Sequence, residues 1–87
     1  MRFVEHRSFK RQYKKLPSEV RGKVGVRLGL LVTDEFSPLL NNHKLHHPYE
    51  GHSTINITGD IRLIYKKIGP ETLSLRAIGT HHQLFGT

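Results

Sequence analysis

The stretch Thr54-Ile-Asn-Ile-Thr-Gly-Asp-Ile-Arg-Leu-Ile-Tyr-Lys66 decides the fold that we predict. Ile55 and Ile57 alternate with polar residues before the pair Gly59-Asp60, and a second alternating run follows that pair. Alternation with a period of two on both sides of a short turn sequence is typical of a β-hairpin. The stretch therefore predicts two adjacent antiparallel strands, each with one buried face.

The segments on either side of this hairpin predict two more strands. Downstream, Gly69-Pro-Glu71 predicts a second turn, and the alternating residues 73–79 predict a strand that ends at Gly79. Upstream, residues 2–6 predict a short strand at the start of the chain. Residues 39–53, between the helical region and the hairpin, are polar and rich in histidine, and they predict a connection.

Two helices are predicted between the first strand and this connection. Ser8 is the expected N-cap of the first helix, and Pro17-Ser18 separates it from the second. Apolar residues recur at helical spacing in both: Phe9, Tyr13 and Leu16, then Val20, Val24, Leu28 and Leu31. Gly22, Gly25 and Gly29 weaken the second helix, and they either permit a close approach to neighbouring elements or have no packing role.

These elements predict an α+β fold in the order β-α-α-β-β-β. A small antiparallel sheet packs against an N-terminal helical hairpin, because that arrangement buries the apolar sides of both. We expect one domain over residues 1–87, ending in a short tail or a turn of helix.

The composition favours a polyanionic partner. The 87 residues include 14 Lys and Arg against 7 Asp and Glu, a net charge of +7. Such an excess is typical of proteins that bind nucleic acid, an anionic surface or an acidic protein. Cysteine is absent, which excludes disulfides and thiolate metal sites. No apolar run is long enough to span a bilayer, so we expect a cytoplasmic protein without a membrane partner.

Two groups of histidines suggest the chemistry. One lies in Asn41-Asn-His-Lys-Leu-His-His-Pro-Tyr-Glu-Gly51, and the other in Thr80-His-His-Gln-Leu-Phe-Gly-Thr87. Imidazole gives or takes a proton near neutral pH, and Lys or Arg binds phosphate, so the combination suggests metal-free RNA cleavage. The histidines follow no standard metal-site spacing, and we predict no metal or other cofactor.

Six stretches of the chain occur in the same order as in a known family. They read Phe9-Lys-Arg-Gln-Tyr-Lys-Lys-Leu-Pro17, Leu40-Asn-Asn-His-Lys-Leu45, Tyr49-Glu-Gly51, Ile55-Asn-Ile-Thr-Gly-Asp60, Leu63-Ile-Tyr65 and Gly79-Thr-His-His-Gln-Leu-Phe85. Through them the chain resembles the RelE/ParE toxin superfamily, specifically its YafQ-like branch. The resemblance covers almost the whole chain.

The resemblance implies a bacterial type II toxin, an endoribonuclease that cleaves mRNA on the ribosome. In such enzymes a ribose 2′-OH attacks the adjacent phosphate without a metal. The implied partners are the ribosome, mRNA and a cognate antitoxin that is acidic and partly disordered. Operator DNA is expected only through the complex with the antitoxin.

The resemblance also implies the site residues. His43 and His81 match active-site histidines that supply the acid and the base, in an order that the sequence leaves open. Asp60 matches an acidic residue that orients an imidazole, and Phe85 matches an aromatic that stacks on a base or shapes the pocket. The residues expected to contact RNA are cationic: Lys10, Arg11, Lys14, Lys15, Lys44, Arg62 and Arg76.

The chain departs from the family pattern at several positions. Asn56 stands where a further histidine is usual, and Ile61 stands where a tryptophan is usual. His52 and Ser53 stand where many related sequences carry Tyr-Arg. These departures leave open a toxin that binds its antitoxin but has lost catalysis. A ParE-like inhibitor of DNA gyrase is a second alternative, which the two matched histidines disfavour.

Several of these residues have plain structural readings. Asp60 is a common residue type in turns, and the basic first helix is equally a solvated face. His46, His47 and His52 are predicted to be solvated loop residues, and His82 to be a neighbour without a catalytic role.

Overall fold

The computed structural model describes residues 1–86. Five strands and three helices are formed, in the order β1 (Arg2–Glu5), α1 (Arg7–Lys14), α2 (Ser18–Thr33), β2 (His43–Lys44), β3 (Ser53–Asn56), β4 (Ile61–Gly69), β5 (Thr72–Thr80) and α3 (His81–Phe85). The α+β class and the predicted element order are confirmed. The two-residue strand β2, inside the histidine-rich connection, is additional, and the C-terminal turn of helix is α3.

The sheet has the strand order β1-β5-β4-β3-β2. Strands β2 to β5 pair antiparallel, with Ile55 opposite Leu63 in the predicted hairpin. β1 lies parallel to β5, with Phe3 opposite Leu73, so the sheet is mixed at this edge and not purely antiparallel. The parallel pairing leads the chain directly into α1, which packs along β5.

The helices cover one face of the sheet and bury the main core there. Phe9 and Tyr13 of α1 stack with their ring centroids 5.6 Å apart. Gln12 lies on the same helix, and its Oε1 accepts a hydrogen bond of 2.9 Å from the backbone of Ile78 in β5. The buried members of this core are Phe9, Val24, Leu28, Leu31, Leu40, Ile55, Ile57, Leu63, Tyr65, Leu73, Leu75 and Ile78.

A second, smaller apolar cluster joins α3 to the sheet. Ile64 of β4, Ala77 of β5 and Leu84 of α3 are buried together. Tyr49 and Phe85 pack against this cluster from its edge. Because Leu84 anchors α3, the flanking side chains of that helix take fixed positions on the sheet.

The N-cap of α1 is His6, and the expectation of Ser8 was wrong by two residues. The Nδ1 atom of His6 accepts a hydrogen bond of 3.0 Å from the backbone N–H of Ser8. Ser8 therefore lies inside the first turn. A neutral imidazole replaces the usual short polar side chain as the capping acceptor.

The glycines of α2 are not sites of close approach. A Cβ added at Gly22, Gly25 or Gly29 would meet no heavy atom within 4 Å beyond the adjacent helical backbone. The close-approach alternative is therefore wrong, and α2 is held by its buried Val24, Leu28 and Leu31. Within residues 1–86, no helix has the length and apolar character required to cross a membrane.

Candidate active site

The segment that follows β5 places His81 at the first position of a helix. Thr80 is the N-cap of α3: its Oγ1 accepts a hydrogen bond of 3.1 Å from the backbone of Gln83. The Gln83 Oε1 in turn accepts one of 2.8 Å from the backbone of Thr80. This reciprocal capping box satisfies two N–H groups at the helix start and fixes the turn that carries His81.

Gly79 leaves the space that the capping box requires. A Cβ at this position would lie 2.7 Å from Oε1 of Gln83 and 3.4 Å from its Cβ. Any larger residue would push the Gln83 side chain away from Thr80. In the sequence Gly-Thr-His-His-Gln, the residues that build the start of α3 are thus Gly79, Thr80 and Gln83.

Phe85 lies one helical turn beyond His81. The two rings have centroids 4.8 Å apart and are tilted by 46°. Tyr49 also contacts Phe85 edge-on, at 5.8 Å and 89°. Phe85 therefore links the loop that contains Tyr49 to the imidazole of His81.

His43 lies on β2, the edge strand on the opposite side of the site. Its Nδ1–H donates a hydrogen bond of 2.8 Å to the backbone carbonyl of Asn41. A carbonyl oxygen can only accept, so in the neutral ring the proton is on Nδ1 and the lone pair is on Nε2. Asn41 has a left-handed backbone with φ of 47°, which asparagine tolerates better than most residues.

A cleft of about 370 Å³ brings four of the predicted site residues together. Among its lining residues are His43, Arg62, His81 and Phe85. The others are Leu45, His46, His47, Pro48 and Thr54. His46 and His47, which the sequence predicts to be solvated loop residues, are exposed and also form part of the wall of this cleft.

Arg62 reaches the cleft from β4. Its Nη1 donates hydrogen bonds of 3.2 and 2.9 Å to the carbonyls of Thr58 and Gly59 in the β3–β4 turn. Both bonds use one terminal nitrogen, whereas the guanidinium has five N–H groups in a fixed plane. The β3–β4 turn therefore fixes the orientation of the Arg62 guanidinium at one wall of the cleft.

Asp60 lies in the same turn but does not line the cleft. Its backbone N–H donates to Oγ1 of Thr58 at 3.2 Å, and its side chain is exposed. The structure thus gives Asp60 a place in the turn and does not bring its carboxylate to the two cleft histidines.

Arg76 also lies outside the cleft and contacts it through aromatic rings. Its Nη1 donates a hydrogen bond of 3.3 Å to Nδ1 of His6, and its Cζ lies 5.9 Å from the centroid of the Tyr49 ring. Tyr49 then contacts Phe85. Arg76 is therefore placed to support the aromatic wall, and three contacts link it to His81.

The other predicted cations surround the site at different distances. Arg11 and Lys15 line a hollow of about 280 Å³ that also includes Gly79 and Gln83 beneath α3. Lys10 and Lys14 are exposed on α1 outside that hollow. Lys44 follows His43 on β2 and lines a separate groove.

The departures from the family pattern have different structural settings. Ile61 packs against the main core, and Asn56 lies opposite Arg62 in the β3–β4 pair. The Asn56 Oδ1 is buried, and no hydrogen-bond partner is found for it among residues 1–86. His52 lies edge-on to Tyr49 at 6.2 Å, outside the cleft.

Sequence reasoning missed three residues that hold the site. Asn41 orients His43, Gln83 completes the capping box of α3, and Tyr49 backs Phe85. The spacing Thr-x-x-Gln is a capping-box signal and would have identified Gln83. Within residues 1–86, no group of three or more His, Cys, Asp or Glu side chains is arranged to hold a metal ion.

A family model described as a bacterial toxin of a type II toxin-antitoxin system, YafQ, matches residues 1–86 of the chain. No curated protein matches the chain significantly in sequence.

Solved structures share the fold at low sequence identity. YafQ from E. coli strain BL21(DE3) is 22% identical, with a TM-score of 0.82 over 99% of this chain and 100% of that one. A chain of the E. coli DinJ-YafQ complex is also 22% identical, with a TM-score of 0.76 over 99% of this chain and 100% of that one. A chain of the YoeB-YefM complex from Staphylococcus aureus is 14% identical, with a TM-score of 0.76 over 93% and 97%.

Proposed function

Because this chain belongs to the YafQ family of bacterial toxins of type II toxin-antitoxin systems, we propose that it is a ribosome-dependent endoribonuclease. It acts in the bacterial cytoplasm and cuts mRNA by attack of a ribose 2′-OH on the adjacent phosphate.

The observation that carries this proposal is the content of one cleft. His43 and His81 lie on separate elements, β2 and α3, and both line the same space of about 370 Å³. Arg62 adds a cation and Phe85 an aromatic ring. Two proton-transfer groups and a phosphate-binding cation are what 2′-OH attack on RNA requires, and an aromatic ring can stack on a base beside the cut.

The hydrogen bond from Nδ1 of His43 to Asn41 supports a role for His43 as the base. Its Nε2 takes the proton from the 2′-OH, and the 2′-oxygen forms a bond to phosphorus. The bond from phosphorus to the 5′-oxygen breaks, and His81 gives that oxygen a proton. Arg62 stabilises the charge on the phosphate oxygens as the bonds change.

An antitoxin is the proposed protein partner. Solved relatives include the E. coli DinJ-YafQ toxin-antitoxin complex. The net charge of +7 suits an acidic segment that folds on binding and covers the cleft. Operator DNA is proposed to bind only through that complex.

Purified protein and ribosomes programmed with a defined mRNA provide the test. Wild type should produce cuts with 2′,3′-cyclic phosphate and 5′-hydroxyl ends, the products of 2′-OH attack. His43→Ala and His81→Ala should each abolish these cuts. His82→Ala is the matched control, since His82 neighbours His81 but does not line the cleft, and it should cut like wild type.

Other results would select a different function. Intact mRNA with every variant, together with gyrase-dependent DNA breaks, would select the gyrase inhibitor. Intact mRNA and intact DNA, with antitoxin binding retained, would select a toxin without catalysis.

A further inference from the structure

We propose that a second groove, on the other side of His43, binds the single RNA strand as it leaves the cleft. This inference rests on the proposed function and adds to it a subsite for nucleotides next to the cut. The flanking groove has a volume of about 300 Å³, and its lining residues include Phe36, Asn42, His43, Lys44, Lys66 and Lys67.

The flanking groove adjoins the cleft at His43. His43 lines both spaces, and it lies on β2, the edge strand of the sheet. Its partner in β3 is Thr54, which lines the cleft, and the next pair is Lys44 with Ser53, which both line the groove. A strand bound at His43 therefore reaches the groove by passing around the sheet edge.

The floor of the flanking groove is held by hydrogen bonds. The Tyr65 hydroxyl donates to Oδ1 of Asn42 at 2.9 Å, and Nδ2 of Asn42 donates to the Glu35 carbonyl at 2.9 Å. Tyr65 belongs to the main core, and burial raises the pKa of its hydroxyl, so it stays a neutral donor. Asn42 thus fastens the loop after α2 to β4, and the groove is formed before any ligand binds.

Three lysines give this groove a positive charge. Lys44, Lys66 and Lys67 all line it and are all exposed. One carboxylate is present, since Nζ of Lys67 lies 3.0 Å from Oε2 of Glu35. Exposed ion pairs of this kind are weak and screened by salt, so a phosphate can replace Glu35 as the partner of Lys67.

Phe36 supplies an aromatic surface beside these charges. It lines the groove and is 77% exposed, the largest exposure among the large apolar side chains in the part of the chain described. Stacking of bases on aromatic rings beside a basic groove is how proteins bind single-stranded nucleic acid without reading its sequence. An acidic peptide would also suit the lysines, but it gives no reason for His43 to line both the groove and the cleft.

The test uses a fluorescent single-stranded RNA with a 2′-deoxy sugar at the nucleotide that would attack, so that it binds but cannot be cut. Fluorescence anisotropy at several salt concentrations measures the affinity and its dependence on salt. The double variant Lys66→Ala/Lys67→Ala removes two groove charges. The matched control, Arg2→Ala/Lys23→Ala, removes two charges from β1 at the other sheet edge and from α2, outside the groove.

The groove double variant should bind more weakly, and its slope of log affinity against log salt should fall by about 1.4, since each phosphate contact to a single strand adds about 0.7. The control should keep the wild-type slope. Phe36→Ala should lower affinity roughly tenfold with the slope unchanged, and Phe36→Trp should restore it.

Equal slopes for the two double variants, or wild-type affinity in Phe36→Ala, would overturn the proposal. No binding by wild type at low salt would also overturn it. Loss of antitoxin binding with RNA affinity intact would assign the groove to an acidic protein segment instead. Because the probe cannot be cut, a failure of the nuclease reaction is detected separately, with the programmed ribosomes.

Discussion

The ring of Phe85 lies against the imidazole of His81, with 4.8 Å between the ring centroids. The contact spans four residues of α3, which is the spacing that brings side chains together along one helix face. Leu84 lies between these two residues in the sequence. Its side chain is buried against Ile64 and Ala77 and fixes the helix to the sheet. The proposed acid is therefore positioned by an aromatic contact whose own position is set by the small core beneath it.

Phe85→Ala should reduce the rate of mRNA cleavage. The aromatic contact is worth about 0.5–1.5 kcal/mol, so its loss predicts a reduction of roughly twofold to tenfold in the single-turnover rate on programmed ribosomes. Phe85→Tyr retains the ring and should stay close to wild type. Equal rates for the alanine variant and wild type would show that the ring does not position His81.

Thr80→Ala should destabilise the protein, because it removes the acceptor of the Gln83 N–H at the start of α3. Loss of such an N-cap costs about 1 kcal/mol in the free energy of unfolding, measured in urea. Thr80→Ser keeps the acceptor and serves as the control. If alanine and serine gave the same unfolding free energy, the cap would contribute nothing.

Asn41→Ala should cost about 1 kcal/mol of stability, because alanine is strained at the φ of 47° found there. Asn41→Gly removes the same side chain without that strain, and it should be close to wild type in urea unfolding. Both variants keep the carbonyl that accepts from His43. An alanine variant as stable as the glycine variant would contradict the left-handed conformation.

His6 should make the protein less stable as the pH falls below 6.5. Desolvation, and then the positive charges of Arg76, Arg7 and Arg11, lower the pKa of His6 from its ordinary value of 6.5. The unfolded chain therefore binds the proton first, and stability falls between pH 6.5 and the lower pKa of the folded state. Above pH 6.5 both states are neutral at His6 and no such loss occurs.

Urea unfolding of wild type and His6→Asn across this pH range measures the effect. Asparagine is a good N-cap that does not titrate, so the variant should lose less stability than wild type on acidification. The other six histidines are present in both proteins, so the difference between the two stability curves reports the contribution of His6. Parallel curves for the two proteins would show that His6 does not carry the effect.

Local patterns predicted the elements but not every pairing between them. The alternation around Ile55 and Leu63 is a property of neighbouring residues, and the hairpin formed as expected. The parallel pairing of β1 with β5 joins segments at opposite ends of the chain, and no local pattern reports it. The strand His43–Lys44 is two residues long and polar, so it has no alternation to detect.

The same limit applies to the site. His43, His81, Phe85 and Arg62 line one cleft. Asp60 and Arg76 lie outside it, because the orientation of a turn and the partners of a strand residue depend on tertiary packing. Asn41, Gln83 and Tyr49 act through other side chains or the backbone, and the motifs that identified the histidines do not contain that information.

Induced expression in bacteria, with growth followed and mRNA 5′ ends mapped, tests the central claim most directly. Wild type should arrest growth and produce new 5′ ends within codons, and the double variant His43→Ala/His81→Ala should do neither. Growth arrest by both proteins without new mRNA ends would contradict the assignment of RNA cleavage to this cleft.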